Sequence, residues 1–240
     1  MDLTAHHLPM ADLRQLKLEA TQRLLGDTIQ ISDEDWEGSS HLPGWTRAHV
    51  AAHLARNADA YRGIVEGVVD GTTVAMYPGD ESRAWAIERG SEQTPLELQI
   101  DLDTSASRLA GAFDRLRPEQ WDEPVRFDHQ LYPVAFIVLS RLSEVVLHHV
   151  DLDCGFDLAD VEEETALWLL RWCIRRLRDV PGECPCRIET PDGDAAVIGP
   201  PDPAAPTVSG SVAGLVGWLS GRTSADAVTS TGALGPRPII

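Results

Sequence analysis

Residues Val134–Leu152 read VAFIVLSRLSEVVLHHVDL. Apolar side chains occupy much of the circumference of a helix drawn through this stretch, which predicts the most buried helix of the chain. Glu144 and His148 interrupt it four residues apart and therefore share one face. A carboxylate and an imidazole among apolar neighbours need partners, because an unpaired buried charge is costly. A metal ion is one such partner; a helix-stabilising i,i+4 contact is the plainer alternative. A helix buried on most sides needs other helices around it. Three more precede it: Met10 to about Ile29, Thr46 (as N-cap) to about Asp70, and Thr94-Pro95 to about Leu116, each with apolar residues at helical spacing. Four helices within residues 1–156 predict a four-helix bundle.

Between the second and third helices the periodicity lapses. Gly71 to Thr94 is too long for a tight turn and has room for a short helix. It carries Arg83, Trp85 and Arg89. The second helix carries His49 and His53, again four apart on one face. His53 lies near the start of its helix and His148 near the end of the fourth. They reach the same height only if those two helices are antiparallel. A simple up-down-up-down bundle makes them parallel, whereas a crossover through Gly71–Thr94 makes them antiparallel. The crossover and the metal site therefore support each other.

From about residue 157 the pattern changes. Asp160 to Arg178 reads as an amphipathic helix. CRIET and AAVIG flank Pro191-Asp192-Gly193-Asp194 as a hairpin. Thr207–Gly210 reads as one more strand, and SVAGLVGWL (Ser211–Leu219) as a buried helix. The expected organisation is a helical domain over 1–156 and a small α+β domain over 157–240.

The 240 residues include 38 Asp plus Glu against 20 Lys plus Arg, a formal charge of −18. That balance argues against nucleic acid and anionic membrane surfaces as partners. No apolar run is long enough to span a membrane, and Met1–Gln15 lacks the features of a signal peptide, so a cytoplasmic location is expected. The four cysteines, Cys154, Cys173, Cys184 and Cys186, form no disulfide framework, and the close pair Cys184-Pro-Cys186 is read as structural thiols.

Two segments together carry a family resemblance: GWTRAHVAAHLARNA (Gly44–Ala58) and SEVVLHHVDL (Ser143–Leu152). They resemble the DinB-like metal-binding bundle of mycothiol-dependent maleylpyruvate isomerases. VSGSVAGLVGWLSGRTSADAVTSTG (Val208–Gly232) looks like that family's second domain. The resemblance implies zinc or another divalent metal held by His53, Glu144 and His148, with His49 at a non-ligand position. Three N and O ligands with a fourth position open is the pattern of catalytic zinc. It also implies functional arginines at Arg222 and, within YPGDESRAWAIERG, at Arg83, with Arg89 competing for that role. Asp151 is placed to orient a ligand imidazole, while Trp45 and His149 pack or line the rim.

The implied partners are a small-molecule diacid and a low-molecular-weight thiol, mycothiol, acting on a monomer or homodimer. The implied reaction is cis–trans isomerisation of maleylpyruvate to fumarylpyruvate. Two alternatives share the metal: a mycothiol S-transferase acting on another electrophile, and a non-catalytic binding module whose metal is closed by a fourth protein ligand such as His49 or His149.

Overall fold

Local sequence sets where the helices of the first unit begin and end. The computed structural model describes residues 9–73, 76, 79–127, 130–178, 185–200, 202–234, 237 and 239. These divide into two compact units, Leu8–Phe156 and the part from Asp157 onward. In the first unit the helices are α1 (Met10–Thr28), α2 (Arg47–Asp70), α3 (Asp80–Ser91), α4 (Pro95–Asp114) and α5 (Ala135–Asp151). Thr46 caps α2, and Gly71 ends it at φ 71° in the left-handed region that favours glycine. Thr94 and Glu97 form a reciprocal capping box at the start of α4, and Pro95 occupies its first turn. α5 is buried along almost its whole length, as its composition predicts.

Side-chain ties give the helix directions. Arg56 near the start of α2 pairs with Asp101 near the start of α4 at 2.6 Å, and Arg115 just past the end of α4 reaches Glu66 and Asp70 at the end of α2, both at 3.6 Å. α2 and α4 are therefore parallel. Against α5 the order reverses. Tyr61 bonds Ser140 at 2.8 Å, Arg141 donates to the Leu54 carbonyl and to Asn57 at 2.8 Å, and Arg47 donates to the Leu152 carbonyl at 2.8 Å. α1 opposes α4, because Arg14 pairs with Asp114 and Gln99 donates to the Thr28 carbonyl at 3.1 Å. The bundle is up-down-down-up, with the crossover between α2 and α4.

That crossover contains α3, twelve residues of which Ile87 is the one buried apolar side chain. α3 lies so close to α2 that a Cβ on Gly90 would stand 2.8 Å from Ala52 Cβ. A two-stranded hairpin, β1 (Pro124–Phe127) and β2 (Gln130–Pro133), separates α4 from α5. Strands of four residues are too short to display alternation in the sequence. Its register puts Val125 opposite Tyr132, both buried, and Tyr132 stacks on Phe136 at 4.4 Å. At the end of the bundle where α2 begins and α5 finishes, Leu24, Trp36, Val50, Leu54, Leu98, Leu102, Val145 and Leu152 form a buried cluster. Burial of each large side chain there contributes about 1.5–3 kcal/mol.

The second unit contains α6 (Glu163–Leu177), α7 (Val212–Leu219) and the strands β3 (Cys186–Glu189), β4 (Ala195–Ile198), β5 (Thr207–Ser209) and β6 (Thr229–Ser230). The sheet order is β4-β3-β5-β6, with β3 antiparallel to β4 and parallel to β5. Helix α6 starts later than its periodicity suggests, because a 3-10 turn at Leu158–Asp160 precedes it. Among the described residues Cys154, Cys173 and Cys186 form no disulfide, and Cys184 lies outside them. No helix of the described residues is long and apolar enough to cross a membrane.

Candidate metal centre

Antiparallel packing of α2 on α5 brings the early turns of one beside the late turns of the other. His53 stands in the second turn of α2; Glu144 and His148 project from successive turns of α5. One donor atom from each lies within 4.8 Å of the others. His53 Nε2 is 3.0 Å and His148 Nε2 3.3 Å from the same Glu144 Oε2. The two rings meet edge to face with centroids 4.6 Å apart. Among the described residues this is the one such group of three or more His, Cys, Asp or Glu.

The charges are set by burial and by each other. Burial and the neighbouring His148 push the His53 imidazole down to about 4, so it is neutral near pH 7. Burial disfavours a charged His148 as well, but hydrogen bonds to Asp151 and Glu144 outweigh it and raise its affinity for a proton. Burial likewise opposes ionisation of Glu144, yet the two imidazoles beside it hold its carboxyl well below the usual range. Asp151, 1% exposed, accepts from His148 Nδ1 at 2.7 Å. That bond leaves Nε2 directed at Glu144 and fixes the ring's orientation. Two imidazole nitrogens and a carboxylate oxygen, with a carboxylate behind one imidazole, suit zinc or a similar divalent ion.

The other sequence candidates fall into place around this centre. Arg83 on α3 directs Nη2 at His53 Nδ1, 3.3 Å away. Arg89, six residues on, pairs with Glu92. Trp45 packs against both His49 and His53, at 6.3 and 5.6 Å between ring centroids. His49 is committed to the start of α2: its Nδ1 accepts from the Thr46 backbone N–H at 3.3 Å, as a capping-box Glu or Gln does, and its Nε2 faces Glu88 at 3.3 Å. His149 points elsewhere on α5, stacking on Phe156 at 4.0 Å and facing Asp27 at 3.1 Å. Neither joins the cluster.

Arg222 belongs to the second unit. Gly221 ends α7 at φ 76°, with its N–H bonded to the Trp218 carbonyl at 3.1 Å and that of Arg222 to the Gly217 carbonyl at 2.8 Å. These two bonds form a Schellman cap. The Arg222 side chain donates back to the Ser220 carbonyl at 2.8 Å, so backbone and side chain are both anchored to the helix end.

Sequence reasoning missed Arg141, 3% exposed, whose guanidinium ties α5 to α2 one turn from Glu144. The available signal was a second charge in the apolar run, one turn before Glu144.

A family model described as the mycothiol maleylpyruvate isomerase N-terminal domain matches residues 18–153. No curated protein sequence matches the chain. Two solved structures resemble it over 100% of this chain and 100% of theirs, each at 25% identity and a TM-score of 0.88: a mycothiol-dependent maleylpyruvate isomerase and a histidine-to-alanine mutant of that enzyme. The matched span holds α2, α5 and every member of the His53–Glu144–His148 cluster, and the chain belongs to the mycothiol maleylpyruvate isomerase family.

Proposed function

We propose that this protein is a mycothiol-dependent cis–trans isomerase converting maleylpyruvate to fumarylpyruvate. In this reading His53, Glu144 and His148 hold a divalent ion, zinc by the nature of the donors, and Arg83 and Arg222 hold the substrate's carboxylates. The observation that carries it is the convergence of three N and O donors within 4.8 Å, with no fourth His, Cys, Asp or Glu in the group among the described residues. Three protein ligands and an open position characterise catalytic rather than structural zinc. When bound there, such an ion supplies a Lewis-acid position at which a thiol ionises near neutral pH.

Two thiols of the protein, Cys154 and Cys173, are unsuited to the role. Burial, with Asp27 adding to it, pushes the Cys154 thiol up, and burial pushes Cys173 up to about 12. A nucleophile needs the opposite shift; in this reading the sulfur comes from the cosubstrate thiol, as the family membership supports. Isomerisation requires the double bond to become single for one rotation, which addition and later elimination of a sulfur nucleophile achieve. During that rotation the protein has to hold a dianion that its charge of −18 repels. Guanidinium forks match carboxylates geometrically and stay charged. Asp151 keeps His148 in its ligating orientation throughout.

The test is turnover of maleylpyruvate by the purified protein with and without mycothiol. Fumarylpyruvate formation only with the thiol is expected. A stable thiol adduct identifies a transferase instead, and no reaction identifies a binding module. Arg222→Ala is expected to retain metal and lose kcat/KM; an unchanged kcat/KM removes Arg222 from the site.

A further inference from the structure

Polar side chains meet between α2 and α5 on three successive levels. His53, Asn57 and Tyr61 stand one turn apart along α2, and Glu144, Arg141 and Ser140 face them from α5. His53 Nε2 lies 3.0 Å from Glu144 Oε2, Arg141 Nη1 donates to Asn57 Oδ1 at 2.8 Å, and Tyr61 Oη bonds Ser140 Oγ at 2.8 Å. On the middle level the bond is doubled. The same Arg141 nitrogen donates to the Leu54 carbonyl at 2.8 Å, so it grips backbone as well as side chain. Leu54 follows His53 directly, Asn57 lies one turn beyond it, and Arg141 precedes Glu144 by one turn. The guanidinium therefore joins the turn of α2 that carries His53 to the turn of α5 that leads into Glu144.

This arrangement is costly for the fold. Arg141 is 3% exposed and Asn57 1%. Burying a guanidinium carries a desolvation penalty, and apolar side chains of similar volume often fill such a position with no loss of stability. Arg141 also stands against a second buried cation: burial, and then Arg141, push the Lys17 amine down to about 8. Packing alone gives no reason for two cations there; holding two helices in register does.

We propose that Arg141 is a positioning residue for the metal centre: through the Leu54 carbonyl and Asn57 it fixes α2 against α5 at the height where His53, Glu144 and His148 converge. The proposal rests on the reading of those three as ligands. A functional constellation has to be held to within about 0.5 Å, whereas a slip of one residue along a helix is about 1.5 Å. The clamp one turn from the ligands governs that tolerance, and the Tyr61–Ser140 bond, one level farther from His53, is the internal comparison.

The experiment is a zinc titration of the full chain against a competing chelator, with thermal melts on every variant. Arg141→Met combined with Asn57→Leu removes both partners, so neither is left unsatisfied. That double variant is expected to bind zinc on the order of tenfold more weakly, as loss of a supporting group does. Tyr61→Phe cuts the next level and is expected to stay within about twofold of wild type. Cobalt(II) loaded into the same proteins gives a second readout: its visible absorption reports donor geometry, which a loss of fold stability alone does not move. The spectrum is expected to change in the double variant and not in Tyr61→Phe. Zinc affinity unchanged in the folded double variant, or weakened with an unchanged cobalt spectrum, overturns the positioning role. An equal loss in Tyr61→Phe also overturns it, since any tie between the helices would then serve. If the double variant does not fold, Asn57→Ala decides: it cuts one of the two bonds, weaker zinc binding is expected, and wild-type binding overturns the role. Full zinc retention by His53→Ala overturns instead the ligand assignment beneath it.

Discussion

Replacing Asp151 with Asn is the most informative perturbation of the site that leaves every proposed ligand intact. The side chain is 1% exposed and its Oδ2 lies 2.7 Å from His148 Nδ1. Asn preserves shape and can still accept one hydrogen bond, but it removes the charge. A buried hydrogen bond to a charged group is worth about 1.5–3 kcal/mol and a neutral one about 0.5–1.5. The difference of about 1–1.5 kcal/mol corresponds to roughly a tenfold loss of metal affinity. Asp151→Ala loses acceptor as well as charge, and roughly a hundredfold is expected, the upper end for such supporting carboxylates.

Proton competition works against this loss. Asp151 is also one reason His148 binds its proton tightly, and that proton must leave before metal binds. The deficit of Asp151→Asn is therefore largest at a pH above the raised His148 value, where the wild-type imidazole is neutral, and smaller at a pH below it. The assay is a chelator-competition titration at both pH values, with thermal melts to confirm folding. An affinity within twofold of wild type at the higher pH, in a folded variant, refutes the orienting role.

Three further outcomes follow from the same geometry. The His148 proton is held above its ordinary pKa and His53 titrates at about 4, so metal affinity should fall about tenfold per pH unit below the raised His148 value and level off above it; calorimetry in buffers of different ionisation enthalpy should show about one proton released at pH 6, and a second proton would contradict the assignment. In metal-free protein the same raised value stabilises the fold below the unfolded-state pKa of about 6.5, and thermal melts should show that contribution lost as pH rises through the folded value; a metal-free melting temperature that does not fall across that window contradicts it. Gly90→Val drives a branched side chain into Ala52, where a Cβ alone already stands at 2.8 Å, and should cost about 1–3 kcal/mol; a melting temperature unchanged from wild type would mean that α3 is not seated there.

Much of this was legible in the sequence because it depends on helical periodicity. Glu144 and His148 announce themselves as two ionisable groups one turn apart on an apolar helix. The length of Gly71–Thr94, joined to the need for His53 and His148 to reach one height, gives the up-down-down-up order that the Arg56–Asp101 and Arg115–Asp70 pairs display. What stayed hidden has physical causes. Helix α3 buries one large apolar residue, so its period is faint. Arg83 and Arg89 fall on different faces of it, and only packing on α2 decides which face looks inward. His49 caps α2 with an imidazole where the usual signature has Glu or Gln. His148 and His149 differ by about 100° around α5, and nothing local tells which one turns toward α2 and which toward Phe156 and Asp27.

Three side chains from two helices, sharing one ion, carry the proposed function. Anomalous diffraction at the zinc absorption edge from crystals of the metal-loaded protein tests this most directly. The predicted result is a single peak bonded to His53 Nε2, His148 Nε2 and a Glu144 carboxylate oxygen at about 2.0–2.2 Å, with one position left to solvent. A peak elsewhere, or an ion enclosed by a fourth protein ligand, contradicts it.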